Sequence, residues 1–303
     1  MRAFFAAKNI LEVETPALSS AGTTDPQLDS FVTRFTGPGA ASGKTLYMQT
    51  SPEFAMKRLL AAGSGSIYQM ARVFRDGEMG ARHNPEFALL EWYRVGYDYH
   101  QLMDEVDALA TTLLGRYTKL APSERLSYRQ AFQQHLQIDP HDATVAELRD
   151  CAERQRLSVT ATDNDLDVWR DLLLTHCIEP RLGQGRLTFL YDYPTSQAAL
   201  ARIRMGEPSV AERFELYFEG IELANGFQEL TDHVEQRRRF TQDNRQRVER
   251  GKPAIALDER LLAALAVGLP ACAGVALGFD RLVMIAAGVP TLRQVSAFSF
   301  ERI

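Results

Sequence analysis

Residues 74–87 read FRDGEMGARHNPEF. This stretch sets out Arg75, Asp76 and Glu78, then Arg82 and His83, and closes on Phe87. An arginine fork suits a phosphate or a carboxylate, because its planar donors match two oxygens at once. A phenyl face suits a purine ring. Polarity alone explains a surface loop, but not this order of cations, acids and an aromatic. The flanks IYQMARVF (67–74) and FALLEWYR (87–94) are rich in β-branched and aromatic residues, which predicts strand, loop, strand. Alternation along the second strand sends Phe87, Leu89, Glu91 and Tyr93 to one face. That face offers a ring, a carboxylate and a phenol within reach of Arg75. The competing reading is a solvated face that happens to carry Glu91 and Tyr93.

A second constellation lies in RFELYFEGIELA (213–224), which predicts a hairpin turning at Glu219-Gly220. That turn pairs Phe218 with Ile221, Tyr217 with Glu222 and Glu215 with Ala224. Glu215 and Glu222 then share a face as diagonal neighbours, roughly 7–8 Å apart. Two like charges so placed repel unless a cation sits between them. Magnesium, which takes one or two carboxylates together with substrate phosphates, fits that place. The alternative is two exposed glutamates beside Lys or Arg. The next residues, NGFQELTD (225–232), hold Asn225, Phe227 and Glu229 at period two. Flat-strand parity sets these opposite Glu222, so a bulge near Gly226 is needed to bring Glu229 to the same pocket. Finally, GVALGFDRLVM (274–284) places Arg281 in the first turn of a helix, after glycines that let the backbone approach a ligand closely. A Gly-rich strand packed on a helix with a surface arginine is the plain alternative.

The elements that must hold these groups alternate in type. A helix over 2–9 runs into a strand ending at Pro16, and a helix over 51–63 carries Ser51 as N-cap with Pro52 at its first position. Residues 100–118 predict another helix, and 127–136, 144–157 and 165–178 a helical insert. Strand 187–194, the hairpin, helices near 232–250 and 257–267, strand 273–279 and a helix from Asp280 complete the chain. Strands in antiparallel clusters and helices in separate runs predict an α+β fold rather than a doubly wound sheet. GPGAASGKT (37–45) imitates a phosphate loop, but Pro38 stands where that motif needs glycine, so it is read as a hairpin turn.

Composition bounds the partners. Lys+Arg 34 against Asp+Glu 39 gives a net charge of -5, which is no footprint for non-specific binding to a nucleic-acid backbone. Cys151, Cys177 and Cys272 are scattered, in no CxxC pair, which argues for a reduced cytoplasmic setting and against structural zinc. No apolar run of spanning length and no signal peptide are present, so no membrane partner is expected.

The helix–strand ending at Pro16, the FRxx…RHNPEF strand–loop–strand and the GxxxGxDR strand–helix, in this order, resemble the class II aminoacyl-tRNA synthetases. Within them TSPEFAMKRLL, RHNPEFALLEWY, ELANGFQELTD and GVALGFDRLVM are similar to the lysyl-tRNA synthetases, over nearly the whole chain. Those enzymes carry an N-terminal anticodon-binding barrel, whereas this chain opens at the first motif. The free-standing core, with SQAALA (196–201) and Ala276, resembles the elongation factor P lysine ligases. The resemblance implies a single class II catalytic domain over 1–303, an antiparallel sheet flanked by helices, with a helical insert about 119–186 and no anticodon-binding domain. It implies a cytoplasmic homodimer that activates (R)-β-lysine with ATP and Mg2+ and joins it to a lysine side chain of elongation factor P, without tRNA.

By resemblance, Arg75 would hold the α-phosphate and the substrate carboxylate, and His83 the outer phosphates. Phe87 would stack on adenine, with Arg281 on the other side of the base and near the γ-phosphate, and Glu215 and Glu222 would hold magnesium. Arg75 and Arg281 are thus the catalytic pair. Ser51 and Glu53 would face the amino group nearest the carboxylate, and Glu91, Tyr93, Asn225 and Glu229 the distal ammonium. The reaction implied is adenylation followed by attack of an amine on the mixed anhydride, which requires no protein nucleophile. Two positions depart from the pattern. The last position of FRxE, Glu in the pattern, is Gly77, so either the neighbouring Glu78 takes over its nucleotide contact or that contact is weakened. Ala276 stands where the synthetases have glycine, and one methyl matches the shift from an α- to a β-amino acid, worth about 1–3 kcal/mol of discrimination. Two other readings stay open, a minimal lysyl-tRNA synthetase core using L-lysine and a catalytically silent regulatory paralogue.

Overall fold

Apolar alternation and helix caps set the elements along the chain. The computed structural model describes residues 1–40, 42–157 and 164–303, and these divide into two units, Met1–Tyr97 with Leu230–Ile303, and Asp98–Glu229.

The first unit begins with α1 (Arg2–Ala6), shorter than the 2–9 expected because Asn9 takes a left-handed φ of 54°. There follow β1 (Leu11–Glu12), β2 (Leu18–Ser19), and the hairpin β3 (Val32–Phe35) and β4 (Lys44–Met48). Residues 37–45 are therefore a hairpin connection running into β4, with residue 41 outside the described part. Helix α2 spans Glu53–Ala61, with Pro52 rather than Ser51 in the N-cap position. The reason is local: the Ser51 hydroxyl accepts the Glu53 amide at 3.0 Å, closing a short turn ahead of the helix. Strands β5 (Ile67–Phe74) and β6 (Glu86–Val95) flank the loop as the alternation predicts.

The second unit opens with α3 (Tyr99–Leu114), started by a capping box between Asp98 and Gln101. Strand β7 (Ala121–Ser127) lies inside the segment, about 119–186, read as a helical insert. APSERLS holds one large aliphatic, Leu126, so no apolar period announces it; it lies parallel to β8 (Arg186–Pro194). Between these strands come α4 (Tyr128–Leu136) and α5 (Val145–Arg154), each with its own capping box, and α6 (Leu166–Leu173), extended by a wider turn over Leu174–Ile178. β9 (Ile203–Arg204), β10 (Val210–Phe218) and β11 (Ile221–Gln228) complete the unit. β10 pairs antiparallel with β8, β9 and β11. Tyr128, Phe132, Leu148, Trp169, Leu173 and Leu190 are among its buried core.

The chain then returns to the first unit through α7 (His233–Glu249), α8 (Glu259–Gly268), β12 (Cys272–Gly278) and α9 (Phe279–Ala286). β6 pairs antiparallel with both β5 and β12, while β1 joins β5 in parallel. The two faces of β5, β6 and β12 differ sharply. One buries Tyr68, Leu90, Trp92, Val275 and Leu277, and Phe5 of α1 stacks on Tyr68 at 4.2 Å between ring centres. The other carries Gln69, Glu91, Tyr93 and three small residues, Gly274, Ala276 and Gly278. In each unit helices accompany mostly antiparallel strands, the α+β organisation that the sequence predicts. No helix among the described residues is long and apolar enough to cross a membrane.

Candidate active site

In the first unit Arg75 leaves β5 and turns back over the neighbouring strand. Its guanidinium carbon lies 5.0 Å from the centre of the Phe87 ring, and Nη1 is 3.3 Å from Glu78 Oε1. The intervening Gly77 adopts φ +81°, where any L side chain is strained. Glycine here is thus a backbone requirement, and the carboxylate that reaches Arg75 comes from the next position. Helix α9 delivers Arg281 to the same loop. Asp280 accepts the Ala88 amide at 3.0 Å, which ties the start of the helix to β6. Arg281 Nε then reaches the Arg82 carbonyl at 3.2 Å, and Nη2 lies 2.7 Å from His83 Nε2. A guanidinium only donates, so in this contact the His83 ring nitrogen is the acceptor. Arg75, Glu78 and Phe87 form one set of contacts and His83 and Arg281 another.

Beside this loop the small-residue face holds a buried carboxylate. Glu91 Oε2 accepts from Ser51 at 2.7 Å and Oε1 accepts from Tyr93 at 2.6 Å. Ser51 thereby serves twice, bonding the start of α2 and orienting Glu91. Burial pushes the Glu91 acid up to about 7, the nearby charge of Glu53 adds to the rise, and the bonds from Tyr93 and Ser51 oppose it. Glu53 in turn accepts from Lys57 Nζ at 2.6 Å, one helical turn on, and the Lys57 side chain is buried. Ala276 pairs directly with Glu91 across β12 and β6, so its methyl lies on the same face. Lys57 and Gln69, which pairs with Glu91 from β5, are absent from the sequence-level set. The signals for them were there: Lys57 is four residues after Glu53, and Gln69 has the parity of the face once the loop is closed symmetrically.

The second unit carries the other constellation, with one change of register. Phe218 pairs with Ile221 and Tyr217 with Glu222, as the two-residue turn predicts, but Glu215 pairs with Asn225 rather than Ala224. The extra residue is Leu223, so the bulge falls three residues before Gly226, which is regularly paired with Phe214. Its effect on parity is the one sought: Glu215, Tyr217, Glu222, Asn225 and Phe227 come to one face. Glu229, just past β11, is buried and forms a bridge with Ala201. Glu215 is also buried, accepting from Tyr193, Tyr217 and Arg213, and Arg213 Nε donates to Asn225 at 3.2 Å. The bland alternative of two exposed glutamates therefore fails at Glu215.

Could these carboxylates hold a divalent cation? Glu179 gives the field around them. Its acid is pushed up to about 7, first by burial and then by the negative charges of Glu215 and Glu222. Asp171 rises to about 6, chiefly through burial. Arg213 is bonded to Glu215, while Glu179 and Asp171 add acid nearby, and the donors are all hard oxygens, which suits magnesium. Among the described residues no group of three or more His, Cys, Asp or Glu could cage a metal unaided. An ion here would rest on Glu215 and Glu222 and take its other ligands from substrate and water.

Comparison with known proteins agrees over the full length. The family model for class II tRNA synthetases (D, K and N) matches residues 1–302. Curated relatives named elongation factor P–(R)-β-lysine ligase, from Salmonella paratyphi B (strain ATCC BAA-1250 / SPB7) and Salmonella schwarzengrund (strain CVM19633), are each 53% identical to it. The match covers 100% of this chain and 92% of each relative.

Proposed function

The chain belongs to the class II tRNA synthetase family (D, K and N), and from that premise we propose that it is an ATP-dependent ligase acting on elongation factor P. It activates (R)-β-lysine as its adenylate and transfers it to a lysine side chain of that protein. One observation in the structure carries the reading furthest. The small-residue face of the first unit buries Glu91 beside Glu53, with Lys57 bonded to the latter. Buried charges need partners, and a face so arranged favours a substrate that brings ammonium groups of its own.

Arg75 holds the α-phosphate and the substrate carboxylate, using the fork that here lies over Phe87. Phe87 stacks on adenine once that guanidinium turns to the phosphates, while His83 and Arg281 take the outer phosphates and Glu78 the nucleotide. The substrate carboxylate attacks the α-phosphorus, the bond to the bridging oxygen breaks, and pyrophosphate leaves. Arg75 stabilises the charge that builds on the equatorial oxygens. An uncharged lysine amine of the target protein then attacks the acyl carbon and AMP departs, leaving an amide. Ser51, Glu53, Glu91, Tyr93 and Ala276 receive the amino acid, and the resemblance gives Asn225 and Glu229 a role toward the same substrate. Glu215 and Glu222 would hold magnesium, which would supply Lewis-acid neutralisation of phosphate charge.

We place this activity in the cytoplasm, without tRNA, in one catalytic domain that forms a homodimer; a monomeric mass in light scattering would remove the dimer. ATP–pyrophosphate exchange without tRNA tests the chemistry. Exchange favouring (R)-β-lysine supports the proposal, and exchange with L-lysine alone supports the minimal synthetase core instead.

A further inference from the structure

The row that crosses β5, β6 and β12 at Glu91 contains a residue with no role so far. Gln69 and Ala276 are the direct cross-strand partners of Glu91, one on each side. Direct partners share a face, with Cβ atoms about 4.5–5.5 Å apart. Gln69 is only 3% exposed, and its carbonyl oxygen Oε1 is buried without a hydrogen-bond partner. A buried amide oxygen left without a donor costs free energy, and native structures rarely keep one without a reason. The nearest functional group across the strand, Glu91, accepts its bonds from Ser51 and Tyr93 and has no proton to give while ionised. When Glu91 is ionised, the state that attracts a cation, the donor comes from elsewhere.

We infer that Gln69 is a substrate-binding residue: its Oε1 accepts a hydrogen bond from an ammonium group of the amino acid that Glu91 attracts. The inference rests on the proposed function and adds to it a specificity residue. The amide is also the right acceptor electrostatically. An ammonium carries three donors, and Glu91 with Gln69 offers one charged and one neutral acceptor side by side. A carboxylate at position 69 would put a third acid beside Glu53 and Glu91 on one buried face, and like charges there favour proton uptake over ammonium binding.

The test is Gln69→Met, which keeps length and bulk but removes the acceptor, with Gln69→Glu as its companion. ATP–pyrophosphate exchange with (R)-β-lysine and with L-lysine gives KM for each substrate, and thermal melts with and without either amino acid give stability and direct binding. The expected result for Gln69→Met is a KM for the amino acid raised about tenfold or more, the size of one lost bond to a charged group, with KM for ATP unchanged. The melting temperature without ligand should be equal or higher, since an unsatisfied oxygen has gone. Gln69→Glu should bind the amino acid more weakly than the parent as well. An unchanged amino-acid KM overturns the inference. So does a lowered melting temperature with both KM values raised, which would mark a structural residue. Should the parent show no exchange, the proposed reaction falls, and the amino-acid-induced melting shift still decides on Gln69. A shift in the parent that is smaller in Gln69→Met sustains the inference, and no shift in either removes it.

Discussion

Replacing Glu91 by glutamine should separate binding from stability and move them in opposite directions. Glu91 is 2% exposed, and its acid rises from 4.5 to about 7 through burial first and then the charge of Glu53. A raised carboxylic acid means that the native state holds its proton more tightly than the unfolded chain. Between 4.5 and about 7 the folded protein therefore binds more protons, and this group's contribution to stability falls as pH rises through that window. Above 7 the full penalty applies, at most about 3 kcal/mol by the usual conversion of pKa to free energy. Glu91→Gln removes the charge and leaves an amide that still meets the hydroxyls of Ser51 and Tyr93. Melting at pH 8 should thus occur at a temperature equal to or a few degrees above the parent's, with little difference at pH 5. Binding should suffer, because the substrate ammonium loses a charge-assisted bond worth about 1.5–3 kcal/mol, or roughly 10- to 150-fold in KM for the amino acid. The parent's amino-acid KM should also fall as pH rises through 7 and Glu91 ionises, and the variant should lose that dependence. Melts at both pH values and pyrophosphate exchange across the range check this. A variant less stable at pH 8 with an unaltered amino-acid KM would refute the reasoning.

Other perturbations divide the remaining claims. Glu222→Gln should raise the magnesium concentration needed for half-maximal exchange several-fold with little change in melting temperature. Glu215→Ala should instead cost up to about 3–5 kcal/mol of stability, because it strands Arg213, whose side chain is only 17% exposed; equal stability of the two variants, measured by denaturant unfolding, would contradict the distinction. Gly77→Ala meets no atom within 4 Å of the added Cβ, so its cost is the left-handed backbone alone, about 1 kcal/mol in unfolding experiments. Gly77→Glu should accordingly fail to raise activity despite matching the family pattern. Ala276→Gly should improve use of L-lysine relative to (R)-β-lysine by about 10- to 200-fold at most in competition assays, since one methyl beside Glu91 is removed.

How much of this was legible in the sequence varies with the physics involved. Period-two alternation sufficed for the face of β6, because a strand with one face apolar and the other functional cannot slip register without exposing Leu90 and Trp92. The capping boxes at Asp98, Ser127 and Thr144 that start α3, α4 and α5 are equally local, although the sequence reading placed those helices without them. The edge strand β7 escaped because backbone pairing, and not apolar side chains, makes it a strand. The Leu223 bulge was inferred in kind but misplaced: glycine at position 226 attracted the assignment, although regular pairing tolerates that glycine and the insertion falls at a leucine. Lys57 and Gln69 escaped for a different reason. Both read as ordinary helix and strand residues until cross-strand pairing and burial set them beside Glu53 and Glu91. Tyr193, which donates to Glu215 from another strand, is a non-local partner of the same kind.

The most direct test of the central claim is transfer itself. Purified protein, ATP, magnesium, (R)-β-lysine and unmodified elongation factor P are combined, and the intact mass of the factor is followed, with the modified residue located by fragmentation. The account predicts a gain of one lysyl unit on a single lysine side chain, dependent on ATP and abolished by Arg75→Ala. An elongation factor P of unchanged mass, in a preparation that aminoacylates lysine tRNA under the same conditions, would contradict it.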